Sequence, residues 1–269
     1  MAVEAVAEHA AGAAEHSIPE LPNVISMLGE RFHDNPVVAF IHHFENLTFG
    51  LIVALVLIAV AWRYGRKPAA MPHGGQNVLE LFIDGMDQFV KGIAGHSGRE
   101  HVPFIATLFL YIWFMNLSAL IPGMKSPTSS LNTTIGLAVV VFFYVQSVGI
   151  RKLGVAKYFG HLAGSPRGIV GWALVPLMLP LHVLGEFIKP VSLSLRLGFN
   201  VFAEDVLLAV LVGLGITAGL GVHLPVGIPI QAFVIPLVLI FSTVQALVFS
   251  LLSTVYIALM SPHEEHGRH

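Results

Sequence analysis

Five apolar stretches, each long enough to cross the hydrocarbon core of a membrane, constrain the fold of this 269-residue chain more than any other feature. They lie at about 44–62, 102–122, 131–150, 172–220 and 228–259. A helix needs about 20 apolar residues to cross ~30 Å of hydrocarbon. The chain is 55% hydrophobic and only 11% charged, which excludes an ordinary soluble domain. We therefore predict an all-α polytopic membrane protein with about five transmembrane helices.

The last two apolar stretches, 172–220 and 228–259, are too long for a perpendicular crossing. A helix longer than the hydrocarbon is thick accommodates by tilting, so the last two helices are predicted to be long and tilted. In the fourth stretch, Pro176 and Pro180 predict a short re-entrant or interfacial turn ahead of the tilted helix. All the spans belong to one predicted transmembrane helical domain, residues 41–260.

The basic residues of the loops sort onto one side of the membrane if the amino terminus lies outside. Those then on the cytoplasmic side are Arg63, Arg66, Lys67, Lys91, Arg99, Arg151, Lys152, Lys157 and Arg167. Because cytoplasmic loops carry the excess of lysine and arginine, we predict an acidic tail outside, residues 1–40, and a cytoplasmic tail, residues 261–269. The start lacks the Arg- and Ser-rich, acid-poor composition of a transit peptide, which favours the plasma (inner) membrane of a bacterium.

The segment "QNVLELFIDGMDQFVKGIAG", residues 76–95, has the pattern of an amphipathic helix. Glu80, Asp84, Asp87 and Lys91 recur at helical spacing and form one polar stripe, while apolar side chains fill the remainder. The segment is too polar to span, so we predict that it lies flat on the cytoplasmic membrane surface. The alternative is a helix packed within a loop domain.

Several classes of function are excluded by what the chain lacks. It has no cysteine, which rules out disulfides and thiolate metal sites. A net charge of −2, without a basic run interleaved with aromatic residues, argues against nucleic-acid binding. There is no Gly-x-Ser-x-Gly motif, and the tail "HEEH" does not have the His-Glu-x-x-His spacing. We therefore expect no catalytic residue, no metal and no cofactor in this chain.

A polar stripe around Arg196 runs along the fourth apolar stretch. At about 100° per residue, its members lie within about 80° of Arg196 and are His182, Glu186, Lys189, Ser192, Asn200 and Glu204. From His182 to Glu204 the stripe covers roughly 33 Å, about the thickness of the membrane. A charge at the bilayer centre costs ~2.5 to 3.5 kcal/mol on insertion scales, so such a side chain usually faces protein or water.

Different explanations apply to the ionisable members of the stripe. Glu186, Lys189 and His182 lie near a helix end, where extension to the interface is the simpler explanation. For Arg196, the alternative to a functional role is a buried ion pair with Glu204 or with an acid on another helix. Because arginine keeps its proton, it must be a fixed cation that holds an anionic substrate, senses voltage or attracts an ionised carboxylate. A voltage sensor needs several regularly spaced arginines, and this helix has one.

Three segments resemble subunit a of the F-type ATP synthase, the membrane stator of the Fo sector. They are "KPVSLSLRL" with Asn200 four residues past the arginine, "TVQALVFSLLSTVYIALM" at 243–260, and "SPTSSLNTTIGLAV" at 126–139. The resemblance covers nearly the whole chain from about residue 40. It implies a non-catalytic, ion-translocating subunit whose partners are the c-ring, the peripheral-stalk b subunits, other ATP synthase subunits and membrane lipid.

The resemblance also implies a mechanism. Arg196 would attract the mid-membrane carboxyl of each c-subunit once it is ionised, and would separate two offset proton half-channels. Ions would then cross only by riding the ring, and a charge moved through 100 mV releases ~2.3 kcal/mol for ATP synthesis. Gln245 matches the glutamine that faces the arginine in this family. Its alternative role is an inter-helix hydrogen bond without a part in transport.

Two further groups of residues are candidates for the ion path. On the last apolar stretch, polar residues within about 80° of one another are Gln231, Ser242, Gln245, Ser253 and Tyr256. Asp205 lies about 180° from Arg196, which suits a half-channel carboxyl that exchanges protons with the outside. Glu204 is a second candidate for that role. Either acid is alternatively an interfacial residue.

The sequence departs from the family pattern at two places. The family usually reads Arg-Leu-Phe-Gly-Asn, whereas this chain has "RLGFN", so that Gly198 and Phe199 are exchanged. Val238 stands where some members carry an ionisable residue. A stand-alone secondary transporter that binds an anionic substrate at Arg196 is the alternative function, although the absence of internal repeats counts against it.

Overall fold

The computed structural model describes residues 44–65, 74–121, 123–155, 158, 160, 168–221 and 235–260. The described helices are α1 Glu45–Gly65, α2 Gly75–Ala94, α3 Val102–Leu117, α4 Leu131–Leu153, α5 Gly168–Gly221 and α6 Ile235–Met260. Within these ranges there is no β-strand. Five of the helical segments are long and apolar enough to cross a membrane, with α3 counted together with its flanking 3-10 turns. The prediction of an all-α membrane protein with about five spans is therefore confirmed.

Helix α5 is continuous over 54 residues, although Pro176, Pro180 and Pro190 lie inside it. The predicted turn ahead of the tilted helix is therefore wrong. Each proline removes one backbone hydrogen bond, and the rest of a spanning helix keeps its own bonds because hydrocarbon offers no other partner. At 1.5 Å per residue, a straight helix of this length would measure roughly 80 Å, far more than a perpendicular crossing requires.

Helix α6 lies at the centre of the described structure and packs against α2, α3, α4 and α5. Phe249 and Ile257 of α6 are at most 1% exposed, as are Ile105 and Ile112 of α3. Pro236 lies in the first turn of α6, where a missing backbone N–H costs nothing. The buried faces of α3 and α6 thus form the core against which the other helices pack.

Helix α2 is amphipathic, as its sequence pattern predicts. Met86 and Val90 are buried, and Phe82 contacts the ring of Phe109 on α3 with 5.7 Å between centroids. On the polar side, Lys91 forms an ion pair with Asp87 one turn earlier. The helix therefore packs one apolar face onto the spanning helices, and its place on the membrane surface stays a prediction.

Some predictions concern residues outside the described ranges. They include the acidic tail at 1–40, the tail at 261–269 and Gln231. The assignment of the two sides of the membrane to outside and cytoplasm also stays a prediction.

Candidate functional site

One face of α5 packs inside the protein and the opposite face is exposed around Arg196. Leu193, Leu197 and Val201 are at most 2% exposed. The exposed residues of the opposite side over the same stretch are Ser192, Leu195, Arg196, Phe199 and Asn200. Because successive helical residues turn by about 100°, this alternation gives α5 one inner and one outer side. Arg196 and Asn200 therefore lie on the outer side of a spanning helix.

Arg196 has no ion pair within the described structure. None of the described carboxylates lies within 4.0 Å of its guanidinium. Glu204, the partner considered from the sequence, instead accepts a hydrogen bond from Ser242 of α6 at 3.3 Å. The expected alternative of an ion pair with Glu204 is therefore not present, and none of the described acids forms an ion pair with Arg196.

Asn200 connects the arginine-bearing face of α5 to α6. Its Nδ2 donates a hydrogen bond to Oε1 of Gln245 at 3.0 Å, and Gln245 is only 5% exposed. Gln245 therefore contacts Asn200, one turn beyond the arginine, and its position facing Arg196 itself stays a prediction. The bond is also the inter-helix contact that the alternative interpretation of Gln245 requires.

The contacts between α5 and α6 fix an antiparallel register. Asn200 pairs with Gln245, and Nζ of Lys189 lies 5.5 Å from the ring centroid of Tyr256. The interval from Lys189 to Asn200 on α5 equals the interval from Gln245 to Tyr256 on α6, in the opposite chain direction. The polar residues of the two helices therefore face each other along roughly 16 Å of their length.

A second polar cluster lies at the other end of this register. Lys189 forms an ion pair with Glu186 and a cation–π contact with Tyr256. Tyr158 donates a hydrogen bond to Gln146 of α4. Burial raises the pKa of Tyr158, and the negative charge of Glu186 raises it further, so this phenol stays a neutral donor.

Two predicted site residues stand apart from these clusters. His182 is exposed, and its Nδ1 donates to the backbone carbonyl of Met178 at 2.9 Å, within its own helix. Asp205 is half-buried and follows Glu204 directly, so it lies roughly half a turn around α5 from Arg196. The structure thus brings Asn200 and Glu204 of α5 together with Gln245 and Ser242 of α6. The hydrogen bond of His182 stays within α5.

A buried polar cluster on α3 and the following turn was not among the predicted site residues. Thr128 donates to Oδ1 of Asn116 at 2.6 Å, and the hydroxyls of Ser126 and Thr128 are 2.7 Å apart. Ser118 donates to the carbonyl of Met115 at 2.7 Å. The run of hydroxyl residues in "SPTSSLNTT" was the available signal, because buried hydroxyls need partners inside the membrane.

The chemistry that this arrangement permits is electrostatic. A fixed cation lies on an exposed helix face, with a neutral amide pair beside it and carboxyls on either side along the axis. In the described ranges, no group of three or more His, Cys, Asp or Glu residues could hold a metal ion. A fixed cation of this kind attracts an ionised carboxylate.

Comparisons with known proteins give a consistent family. The sequence model described as ATP synthase A chain matches residues 47–258. A protein of Protochlamydia amoebophila named ATP synthase subunit a is 42% identical over 93% of this chain and 92% of its own. The ATP synthase subunit a of Moorella thermoacetica is 36% identical over 85% of this chain and 94% of its own. That of a Sulfurihydrogenibium species is 35% identical over 82% and 99%.

Proposed function

The chain belongs to the ATP synthase subunit a family, and from that premise we propose that Arg196 is the fixed charge of its ion path. A multi-pass membrane protein of this family works within the ATP synthase complex as the proton-translocating stator subunit of the Fo sector. Membership supports this function over a stand-alone transporter with an anionic substrate.

The observation that carries the proposal is an arginine at the middle of the span Val175–Gly215 that has no carboxylate partner among the described residues. The four lysines among the described residues, Lys91, Lys125, Lys152 and Lys189, each lie within 4.0 Å of a carboxylate. Arg196 is exposed and has no such partner within the described structure. Arg63 and Arg151 also have none among the described residues, but they lie in the last turns of their helices and not in the middle of a span. A cation kept in a spanning helix, with no anion beside it among the described residues, is suited to an anion that arrives on another chain.

We infer that the acids of α5 serve two half-channels that end near Arg196. Glu204 lies eight residues beyond the arginine and Glu186 lies ten residues before it, roughly 12 and 15 Å along the axis. Glu204, with Asp205, would exchange protons with the outside, while Glu186 would lie on the cytoplasmic path. Ser192, Asn200 and Gln245 would line the region between them, and His182 would lie at the cytoplasmic mouth.

The partner of Arg196 in this proposal is the carboxyl of the c-ring. An ionised carboxyl is attracted to the guanidinium, while a protonated one passes into lipid, so rotation is tied to proton exchange. Each charge moved through 100 mV supplies ~2.3 kcal/mol. The peripheral-stalk b subunits would hold the stator in place, in a bacterial plasma membrane, with the amino terminus outside and the carboxyl terminus in the cytoplasm.

The first test replaces Arg196 by Ala in the assembled complex. Proton-driven ATP synthesis in reconstituted vesicles should be abolished, while the complex still purifies with all its subunits. Arg151→Ala is the matched control because Arg151 is an exposed arginine in the last turn of α4. Normal synthesis by the Arg196→Ala complex would refute the role of this residue.

The second test concerns the outer half-channel. Glu204→Gln combined with Asp205→Asn should slow proton uptake from the outside and leave ATP hydrolysis by the detached catalytic sector unchanged. Proton uptake is followed by a pH-sensitive dye inside vesicles at several external pH values. Uptake rates equal to those of the unmodified complex at every pH would remove both acids from the path.

A further inference from the structure

Gly198 and Phe199, which the family resemblance marks as exchanged, lie about 100° apart on α5, with Gly198 buried and Phe199 exposed. Gly198 is buried against α4: a Cβ there would lie 2.9 Å from Cδ2 of Leu131 and 3.1 Å from Oγ1 of Thr134. Phe199 is 56% exposed. The glycine therefore permits close contact between two helices of this chain, and the large aromatic side chain points away from the protein.

Phe199 lies in the middle of the exposed face that carries Arg196. On an ideal helix it is about 60° from Arg196 and one turn further along, roughly 4.5 Å on the axis. Leu195, one turn before Phe199, is 38% exposed, and Ala203, one turn after it, is also exposed. Phe199 is thus the bulkiest side chain beside the cation on this face.

The partner that covers this face has to be a helix with an acid, and not lipid alone. Acyl chains would satisfy Leu195 and Phe199, but they offer no anion to Arg196. Phosphate groups of lipids lie at the membrane surface, about 15 Å from the centre of a ~30 Å hydrocarbon core. Charge complementarity therefore favours a spanning helix that brings a carboxyl to mid-membrane.

The size of Phe199 restricts that helix further. Packed helices lie 8–10 Å apart, and the shorter distances occur where small residues meet. A phenyl ring in the middle of the contact holds the partner away from Arg196 unless the partner offers a recess. A Gly or Ala at that height leaves such a recess, because a larger side chain that points at the phenyl ring would occupy the same volume.

We propose that Phe199 is a specificity-determining contact between this chain and the rotor, which is the c-ring. The phenyl ring requires a Gly or Ala on the rotor helix about one helical turn from the rotor carboxyl. This inference rests on the proposed function of Arg196. It selects among rotors: a rotor helix with a larger residue at this height is excluded even if its carboxyl is in place. Gly198 has a complementary role within this chain. Because it has no side chain, α5 stays in close contact with α4 while Phe199 points away from the protein.

The test uses the intact complex in reconstituted vesicles and compensating substitutions. Each Gly or Ala of the rotor helix within one turn of its carboxyl is replaced by Leu, one position at a time, and proton-driven ATP synthesis is measured. At one position the Leu variant should lower synthesis about tenfold or more, as expected for overpacking by one large side chain. Combining that rotor with Phe199→Gly should restore most of the lost rate.

The control is Phe143→Ala, which removes another exposed phenylalanine, 63% exposed on α4, outside the proposed path. It should restore none of the rotor variants. The inference is overturned if Phe199→Gly rescues no rotor variant, or if Phe143→Ala rescues equally well. Failure of the proposed function would give a different result. In that case the Arg196→Ala complex would still synthesise ATP, regardless of what Phe199 contacts.

Discussion

Replacing Gly198 by Ala tests the packing of the arginine-bearing helix. Two effects oppose each other. In a helix, Ala is favoured over Gly by ~0.8 to 1.0 kcal/mol. Against this, the new Cβ would lie 2.9 Å from Leu131 and 3.1 Å from Thr134, and overpacking of this kind costs ~1 to 3 kcal/mol.

The side chains of the two neighbours decide the balance. Leu131 is 39% exposed, so its Cδ2 can rotate away at small cost. Thr134 is fully buried, and its Oγ1 donates to the carbonyl of Leu131 at 3.0 Å. Moving that hydroxyl costs a hydrogen bond of ~1 kcal/mol. We therefore expect Gly198→Ala to be neutral or destabilising by up to ~2 kcal/mol.

The matched control is Gly185→Ala on the same helix, where a Cβ meets no atom within 4 Å. That variant keeps the helix-propensity gain and should be more stable than Gly198→Ala by ~1 to 3 kcal/mol. The assay is the free energy of unfolding in mixed detergent micelles. Adding Thr134→Ala to Gly198→Ala should recover part of the difference, as a double-mutant cycle measures. Equal stabilities of the Gly198→Ala and Gly185→Ala variants would refute the close contact.

Two hydrogen bonds between helices give further predictions. Trp113 donates to Oγ1 of Thr243 at 2.9 Å. Trp113→Phe should therefore lower the free energy of unfolding by ~1 kcal/mol more in the unmodified protein than in a Thr243→Val background, where this bond is already absent. Tyr144 lies 2.9 Å from Nδ1 of His101, which is 5% exposed. Tyr144→Phe should cost ~1 to 2 kcal/mol because a buried ring nitrogen loses its partner, and an unchanged unfolding midpoint would contradict that bond.

The sequence predicted the parts of this fold that depend on local composition. Apolar length predicted the five spans, and helical periodicity predicted the amphipathic helix α2. Both signals arise within one helix, because burial in lipid or protein repeats with the helical turn. Helical spacing placed Asn200 on the polar stripe, whereas a position of Gln245 opposite the arginine could be proposed only from the resemblance to a known family.

The parts that could not be predicted depend on how helices meet. Pro176 and Pro180 predicted a break, but a spanning helix tolerates proline where its other backbone bonds remain. The hydrogen bond between Ser242 and Glu204, and the contact of Gly198 with Thr134, follow from the register between helices. That register is set by side-chain fit over the whole interface, which no periodicity of a single segment encodes.

Disulfide crosslinking between α5 and the c-ring tests the central claim most directly. Single cysteines are placed at successive positions from 193 to 207, each is paired in turn with single cysteines along the rotor helix that carries the carboxyl, and crosslinks are read in the assembled complex. Crosslinks should recur with helical period at the exposed positions Leu195, Phe199, Ala203 and Leu207. The buried positions Leu193, Leu197 and Val201 should give none. Crosslinks confined to the buried positions, or absent throughout, would contradict an Arg196 that faces the rotor.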